Sequence, residues 1–329
     1  MLRTRLFAAT ALAGASLGVA DVSGQVVVFS EDFEGGGVGA YVETDADGVP
    51  TDTLWHSELD CEYLTPIPPS MGFYAAAYNQ GNLGIYDYAT GTLANAGAIE
   101  SPVIASAANA SLSLSFDYAK ETEGGGVGSF DQCFVEAKAE SAASYGVVTQ
   151  VLGNAACPSA PSTLTAVVCG VPGGPWRHRF RFDTLDENSN AYRGWYVDNV
   201  VATQNSSTAG GFTVFPVGCG GAPFSALTPA GDPVLGGTVS FTMGEAADSF
   251  LWLGLPVGIP LCPEGCRLNA SLGAITFGPS FSADIPCAPV LLGVAAWVQG
   301  GNFLAPGGCT GIPFGVPFTL TDMVQIVIG

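Results

Sequence analysis

Gly194-Trp195-Tyr196-Val197-Asp198-Asn199-Val200 decides the fold, read together with Glu31-Asp32-Phe33-Glu34 far upstream. Both stretches are short, aromatic and strand-like, and both set carboxylates among residues that prefer burial. Paired with each other, they close one β unit over residues 26–203. Side chains alternate along a strand, so the reading places Tyr196, Asp198 and Val200 on one face and Asp32 with Glu34 on one face. An acid on an otherwise apolar face needs a cation or several donors. The expected site is therefore a structural Ca²⁺ held by Glu34 and Asp198, completed by Asp32 or a backbone carbonyl.

The opening Asp32-Phe33-Glu34 and the closing 194–200 stretch resemble the first and last strands of MAM-like jelly-roll domains. They are also similar to jelly rolls appended to secreted bacterial proteases of the immune-inhibitor-A type. Leu114-Ser115-Phe116-Asp117-Tyr118 with Glu121-Thr122-Glu123, and Arg179-Phe180-Arg181-Phe182-Asp183-Thr184, fit the same pattern. The resemblance implies a domain that binds or spaces, with a structural cation near the opening Glu34 and closing Asp198. Asn199 stands where many members carry a second Asp.

The first residues, Met1-Leu2-Arg3-Thr4-Arg5, lead into an apolar run ending in Gly18-Val19-Ala20. A basic start, a run too short to span a bilayer and small residues at its end read as a signal peptide over residues 1–20. The protein is thus expected to be secreted or at the cell surface. Beyond residue 20 only 7 basic residues face 29 acidic ones. Such a field repels nucleic acid and anionic membranes and favours divalent cations. The charged fraction is 12% against 48% hydrophobic, which excludes a disordered acidic chain. Forty-five glycines and 22 prolines without a tripeptide repeat imply many short strands.

The expected fold class is all-β, a jelly-roll β-sandwich followed by a second, smaller β-sandwich. Residues 204–211, reading Gln-Asn-Ser-Ser-Thr-Ala-Gly-Gly, form the linker, and 212–329 the second unit. That half is loosely similar to C-terminal β domains of unknown role on exported bacterial proteins. In the first half, Leu112, Leu114 and Phe116 alternate with serines, and Trp176, His178, Phe180 and Phe182 alternate with Arg177, Arg179 and Arg181. Each is the mark of a half-buried antiparallel strand. His178 is expected in the core with one nitrogen satisfied. The arginines are expected to pair with acids across strands rather than grip a ligand.

Nine cysteines in an exported chain read as disulfides. Cys61, Cys133, Cys157 and Cys169 can close on themselves in three ways, with Cys157–Cys169 across one loop preferred. Cys219, Cys262, Cys266, Cys287 and Cys309 leave one thiol over. Zinc at Cys262 and Cys266 is disfavoured because that half has no histidine.

Trp55, Tyr74, Tyr78, Tyr86 and Tyr88 are the candidate ligand-binding aromatics, either a sugar platform or core. Catalytic residues are not expected. The G-x-S-x-G at Gly14–Gly18 falls in the signal peptide. The Gly-rich repeats after Glu34 and Glu123 lack a βαβ unit. Glu121, Glu123 and Asp131 are acids that a hydrolase of unrecognised type could use. The leading function is an exported non-catalytic adhesion or structural protein whose partner is an extracellular glycan or protein. The alternatives are a carbohydrate-binding module and that hydrolase.

Overall fold

The computed structural model describes residues 25–45, 54–59, 74–78, 88–89, 94–124, 130–155, 162–205, 210–219, 226–244, 249–260, 267–271, 273–303 and 318–329. The chain opens with β1 (Gln25–Glu31), β2 (Val42–Asp45), β3 (Trp55–Leu59) and β4 (Tyr74–Tyr78). Next come β5 (Ala96–Glu100), β6 (Ile104–Ala108), β7 (Leu112–Glu121) and β8 (Gln132–Ala139). β9 (Gly146–Gln150), β10 (Ser162–Val168), β11 (Gly173–Asp183) and β12 (Gly194–Asn205) complete the first group. They form two six-stranded antiparallel sheets. One runs β10-β7-β12-β4-β3 with β1 also on β12; the other runs β2-β5-β11-β8-β9 with β6 also on β11.

The core between these sheets follows from the alternation in the sequence. Trp176, His178, Phe180 and Phe182 of β11 are fully buried, as are Leu114 and Phe116 of β7. Edge-to-face rings join the sheets, with Phe180 against Phe116 at 5.0 Å and against Trp195 at 5.7 Å. The arginines on the other face of β11 are all spent on carboxylates. Arg177 meets Glu140 at 2.7 Å and Glu100 at 3.1 Å, Arg179 meets Glu136 at 2.6 Å, and Arg181 meets Asp183 at 2.8 Å.

The second group begins with β13 (Gly211–Phe215), β14 (Leu227–Gly231), β15 (Thr238–Met243) and β16 (Ser249–Gly254). β17 (Pro256–Pro260), β18 (Arg267–Ala270), β19 (Ala274–Phe277) and β20 (Ser280–Asp284) follow. A 3-10 turn (Pro289–Leu291) precedes β21 (Ala295–Phe303), β22 (Phe318–Leu320) and β23 (Met323–Val327). Sheets β13-β23-β21-β16-β19, with β22 on β21, and β14-β15-β20 enclose a smaller core around Leu235, Phe241, Leu251, Val298 and Val324. β17 and β18 pair as a separate ribbon. The all-β architecture is as the composition and alternation imply.

The cysteines depart from expectation. Cys169 pairs with Cys287, 118 residues away, and not with Cys157. Cys133 is a buried free thiol. The first four cysteines therefore do not close on themselves, because pairing follows which turns the fold brings together rather than nearness in sequence. Cys219 is disulfide-bonded as well. Cys61, Cys157, Cys262, Cys266 and Cys309 lie outside the described residues.

Candidate functional site

The site expected from the sequence lies where three strands meet on β12. β1 runs antiparallel along it, with Glu31 opposite Val200 and Gln25 opposite Asn205. β4 takes the same edge further back, with Val197 opposite Ala76. Residues 198 and 199 fall at the step between the two partners. On the other edge β7 sets Asp117 opposite Asp198 and then Ser115 opposite Val201, so β12 carries one extra residue there. Asn199 is that bulge, held in the left-handed region at φ 48°.

The bulge overturns one reading of the sequence. Tyr196 lies on the outer face, where it packs with Ala75, Ala77 and Ala119. Val200 packs in the core with Trp195 and Val197. The extra residue inverts the alternation, so Tyr196, Asp198 and Val200 do not share a face. Asp198 is nonetheless buried, 1% exposed, and its Oδ1 accepts the Asn199 N–H at 2.6 Å. Asp117 accepts the Asn199 side-chain amide at 3.1 Å and the Thr163 hydroxyl at 2.5 Å.

The opening segment differs too. β1 ends at Glu31, and Phe33 turns left-handed at φ 53° with its ring in the core. Asp32 and Glu34 therefore sit in a turn, not on one strand face. Asp32 Oδ1 accepts the Glu34 N–H at 3.2 Å, and Glu34 Oε1 accepts the Tyr74 N–H at 3.4 Å, which brings Glu34 to the end of β4. The acid that organises this turn is Glu31. Its two oxygens accept the Phe33 N–H at 2.9 Å and the Ala40 N–H at 2.8 Å. A side chain on Gly39, at φ 58°, would strike the Glu31 carboxylate. No residue type marks this role in the sequence, because both partners are backbone amides. Among the described residues, no group of three His, Cys, Asp or Glu side chains forms a metal-ligand set.

Three of the five aromatic candidates are core. Trp55, Tyr78 and Tyr88 are at most 2% exposed. Trp55 packs on Tyr78 at 5.5 Å and Trp195 at 5.6 Å, and Tyr78 stacks on Phe182 at 4.6 Å. They offer no ring to a ligand because both sheets need them as filling. Tyr74 is half-buried. Tyr86 lies outside the described residues.

Asp131, Tyr88 and Lys120 form a buried polar cluster that no sequence motif marks. Asp131 accepts the Tyr88 hydroxyl and, at 2.5 Å, the Glu123 N–H. Its other oxygen, Oδ1, has no hydrogen-bond partner. Burial pushes its pKa up to about 6. Lys120, also buried, donates to the Val151 carbonyl at 2.8 Å. Of the acids weighed for hydrolysis, Asp131 is thus 1% exposed, and Glu121 lies 3.8 Å from Arg193.

No protein-family model matches the sequence, and no curated protein does. Among solved structures, the cleaved adhesin domains K3 and K1 of Lys-gingipain from Porphyromonas gingivalis W83 are similar. They are 16% and 14% identical, span 54% and 55% of this chain and 98% of their own, and have TM-scores of 0.35 and 0.36. The CBM22-1–CBM22-2 tandem of Paenibacillus barcinonensis Xyn10C is 11% identical over 92% of this chain and 98% of its own, at a TM-score of 0.34.

Proposed function

We propose that the protein is an exported, non-catalytic adhesion or structural protein of two β units joined at residues 204–211. The observation that supports this most is where the chemically capable side chains are spent. Trp55, Tyr78 and Tyr88 fill the core, and Arg177, Arg179 and Arg181 each hold a carboxylate. The resemblance of the opening and closing segments to MAM-like domains fits the same role. The test applies purified protein to immobilised extracellular polymers and surface proteins, beside a panel of glycosidase, esterase and peptidase substrates. Saturable binding without turnover is expected. Turnover that disappears on replacing Asp131 or Glu123 would overturn it.

Glycan binding is the second reading, favoured by a surface the sequence did not single out. On one face of the sheet containing β16 and β21, Phe303 and Phe250 stack at 4.9 Å and Phe250 and Trp252 at 5.3 Å, within 26° of parallel. Phe277, 83% exposed, stands opposite Phe250. Trp252 is buried, so the ring this face opens to a sugar is Phe277, beside the half-buried Phe250. Phe277→Ala should then weaken binding to neutral polysaccharides at least about tenfold, a loss of about 1.4 kcal/mol. Unchanged binding dismisses this face.

Calcium is the third element of the proposal. The donors fit in kind, being hard oxygens, and two acids directly opposite each other repel without a counter-charge. Glu34 and Asp198 would hold the ion, with Asp32 or a carbonyl completing the set and Asp117 adjoining. Added Ca²⁺ should raise the melting temperature of the first unit, and Asp198→Ala should abolish the rise. Melting indifferent to a chelator removes the site.

A further inference from the structure

Contacts between the two groups of sheets converge on one turn. Cys169, in the turn between β10 and β11, is bonded to Cys287, with Cα atoms 5.8 Å apart. The next residue, Gly170, donates its N–H to the Leu235 carbonyl at 2.9 Å. A Cβ on Gly236, at φ 74°, would lie 2.6 Å from the Gly170 nitrogen and 2.8 Å from the Cys169 Cβ. Only glycine permits that approach. Gly236 in turn donates to the Ile285 carbonyl at 3.0 Å, which ties its loop to the segment bearing Cys287. Val167 of β10 packs against the second core.

Among the described residues, contacts between the halves beyond this turn are few. The Ser111 hydroxyl donates to the Gly329 carbonyl, and the Gly210 N–H donates to the Asn109 carbonyl at 2.8 Å. No strand among β1–β12 packs broadly on one among β13–β23. Domains joined by so small a non-covalent surface move relative to each other unless something else fixes them.

We propose that the Cys169–Cys287 bridge is a redox-dependent lock: oxidised, it fixes the two β units as one rigid body; reduced, it frees them to move relative to each other. Closing it removes two protons and two electrons from the two thiols, taken up by a disulfide oxidant that becomes a dithiol. A dithiol reductant reverses the step through a mixed disulfide and leaves as a cyclic disulfide. Cys287 is exposed and Cys169 half-buried, so a reductant can reach the bridge. Cys133 does not compete. It is fully buried, and burial pushes its thiol pKa up to about 12.

The test uses the full chain with a protease site placed within residues 206–209. Small-angle scattering is recorded on intact oxidised protein, on protein reduced with dithiothreitol, and on Cys287→Ser. Far-ultraviolet circular dichroism follows retention of the sheets. Oxidised protein should scatter as one rigid body. Reduced protein and the variant should show a larger radius of gyration and a flexible profile, and the cut halves should lose co-elution only after reduction. A rigid profile that survives reduction overturns the lock, as does flexibility already present in the oxidised chain. Loss of both folds on reduction overturns it as well, because a lock requires units that survive release. Reduction also opens the Cys219 bridge, so should Cys287→Ser fail to fold, Cys169→Ser carries the comparison.

Discussion

His178 is wholly enclosed, with Phe29, Tyr41, Trp176 and Phe180 rings around it and its Nε2 hydrogen-bonded to the Tyr41 hydroxyl at 2.6 Å. Nδ1 has no hydrogen-bond partner, so a proton there gains nothing, and burial holds the pKa down to about 3. The unfolded chain takes up that proton near pH 6.5, so the stability His178 contributes is present above 6.5 and lost as pH falls toward 3. Asp131 runs the other way. Its pKa of about 6 lies above the unfolded value, so its contribution is full below pH 4 and lost as pH rises through 6. Tyr88, Glu123, Lys120 and Cys133 are the titratable groups facing it. Between pH 4 and 6 the two effects oppose, and substitution separates them. His178→Phe should flatten the acid limb of urea-unfolding stability, though it costs about 1–3 kcal/mol at pH 7 by stranding the Tyr41 hydroxyl. Asp131→Asn should stabilise the protein above pH 6 by up to about 3 kcal/mol. An acid limb unchanged in both variants would refute these assignments. Glu136 offers a simpler check, since it is 5% exposed and its two oxygens serve Arg179 and Arg181. Glu136→Gln should cost about 1–3 kcal/mol in denaturant, well above the worth of an exposed pair.

At the level of the strand, β12 holds most of what the first unit depends on. It takes β7 on one edge and β4 and β1 in succession on the other, and Asn199 is where it steps. Asn199→Gly should be tolerated within about 1 kcal/mol, because glycine accepts φ above zero. Asn199→Val should cost more than about 2 kcal/mol, because a branched side chain does not accept the left-handed region and the Asp117 contact goes too. Equal midpoints for the two variants in thermal unfolding would mean the bulge is not what fixes the register. The same residue marks how far sequence reading reaches. In β11 the alternation of aromatic with arginine is uninterrupted, and every inward residue was identifiable. In β12 one extra residue inverts the phase, and period-two counting passes over it because an Asn in a strand looks like any other polar position. The closure of β1 on β12 was readable from matching aromatic and acidic segments. The role of Glu31 was hidden because its partners, the Phe33 and Ala40 amides, are backbone and carry no sequence signal. The Cys169–Cys287 pair was hidden for a similar reason, since it joins turns whose nearness only the finished fold creates.

For the molecule as a whole, charge is divided more unevenly than size. Residues 21–211 hold 23 acids against 6 bases, and residues 212–329 hold 6 against 1. Between residues 285 and 321 there is no charged side chain at all. The first unit thus folds against strong self-repulsion, while the second is nearly free of it. The acids on β11 and its neighbours are offset by arginines, whereas Asp117 faces another acid, Asp198, across the β7–β12 pair. Screening should therefore act selectively. Raising monovalent salt from about 10 mM to 150 mM shortens the Debye length from roughly 30 Å to 8 Å, shorter than a sandwich is wide. In calorimetry the transition belonging to the first unit should move up by several degrees while that of the second stays within about one degree. Calcium at fixed ionic strength separates the two causes. A bound ion shifts the first transition at millimolar Ca²⁺ with salt held constant, and Asp198→Ala removes that shift, whereas general screening persists in the variant. Should both transitions rise together with salt, or the first fall, the uneven charge is not what limits the first unit, and its acids are already neutralised by partners on the folded surface.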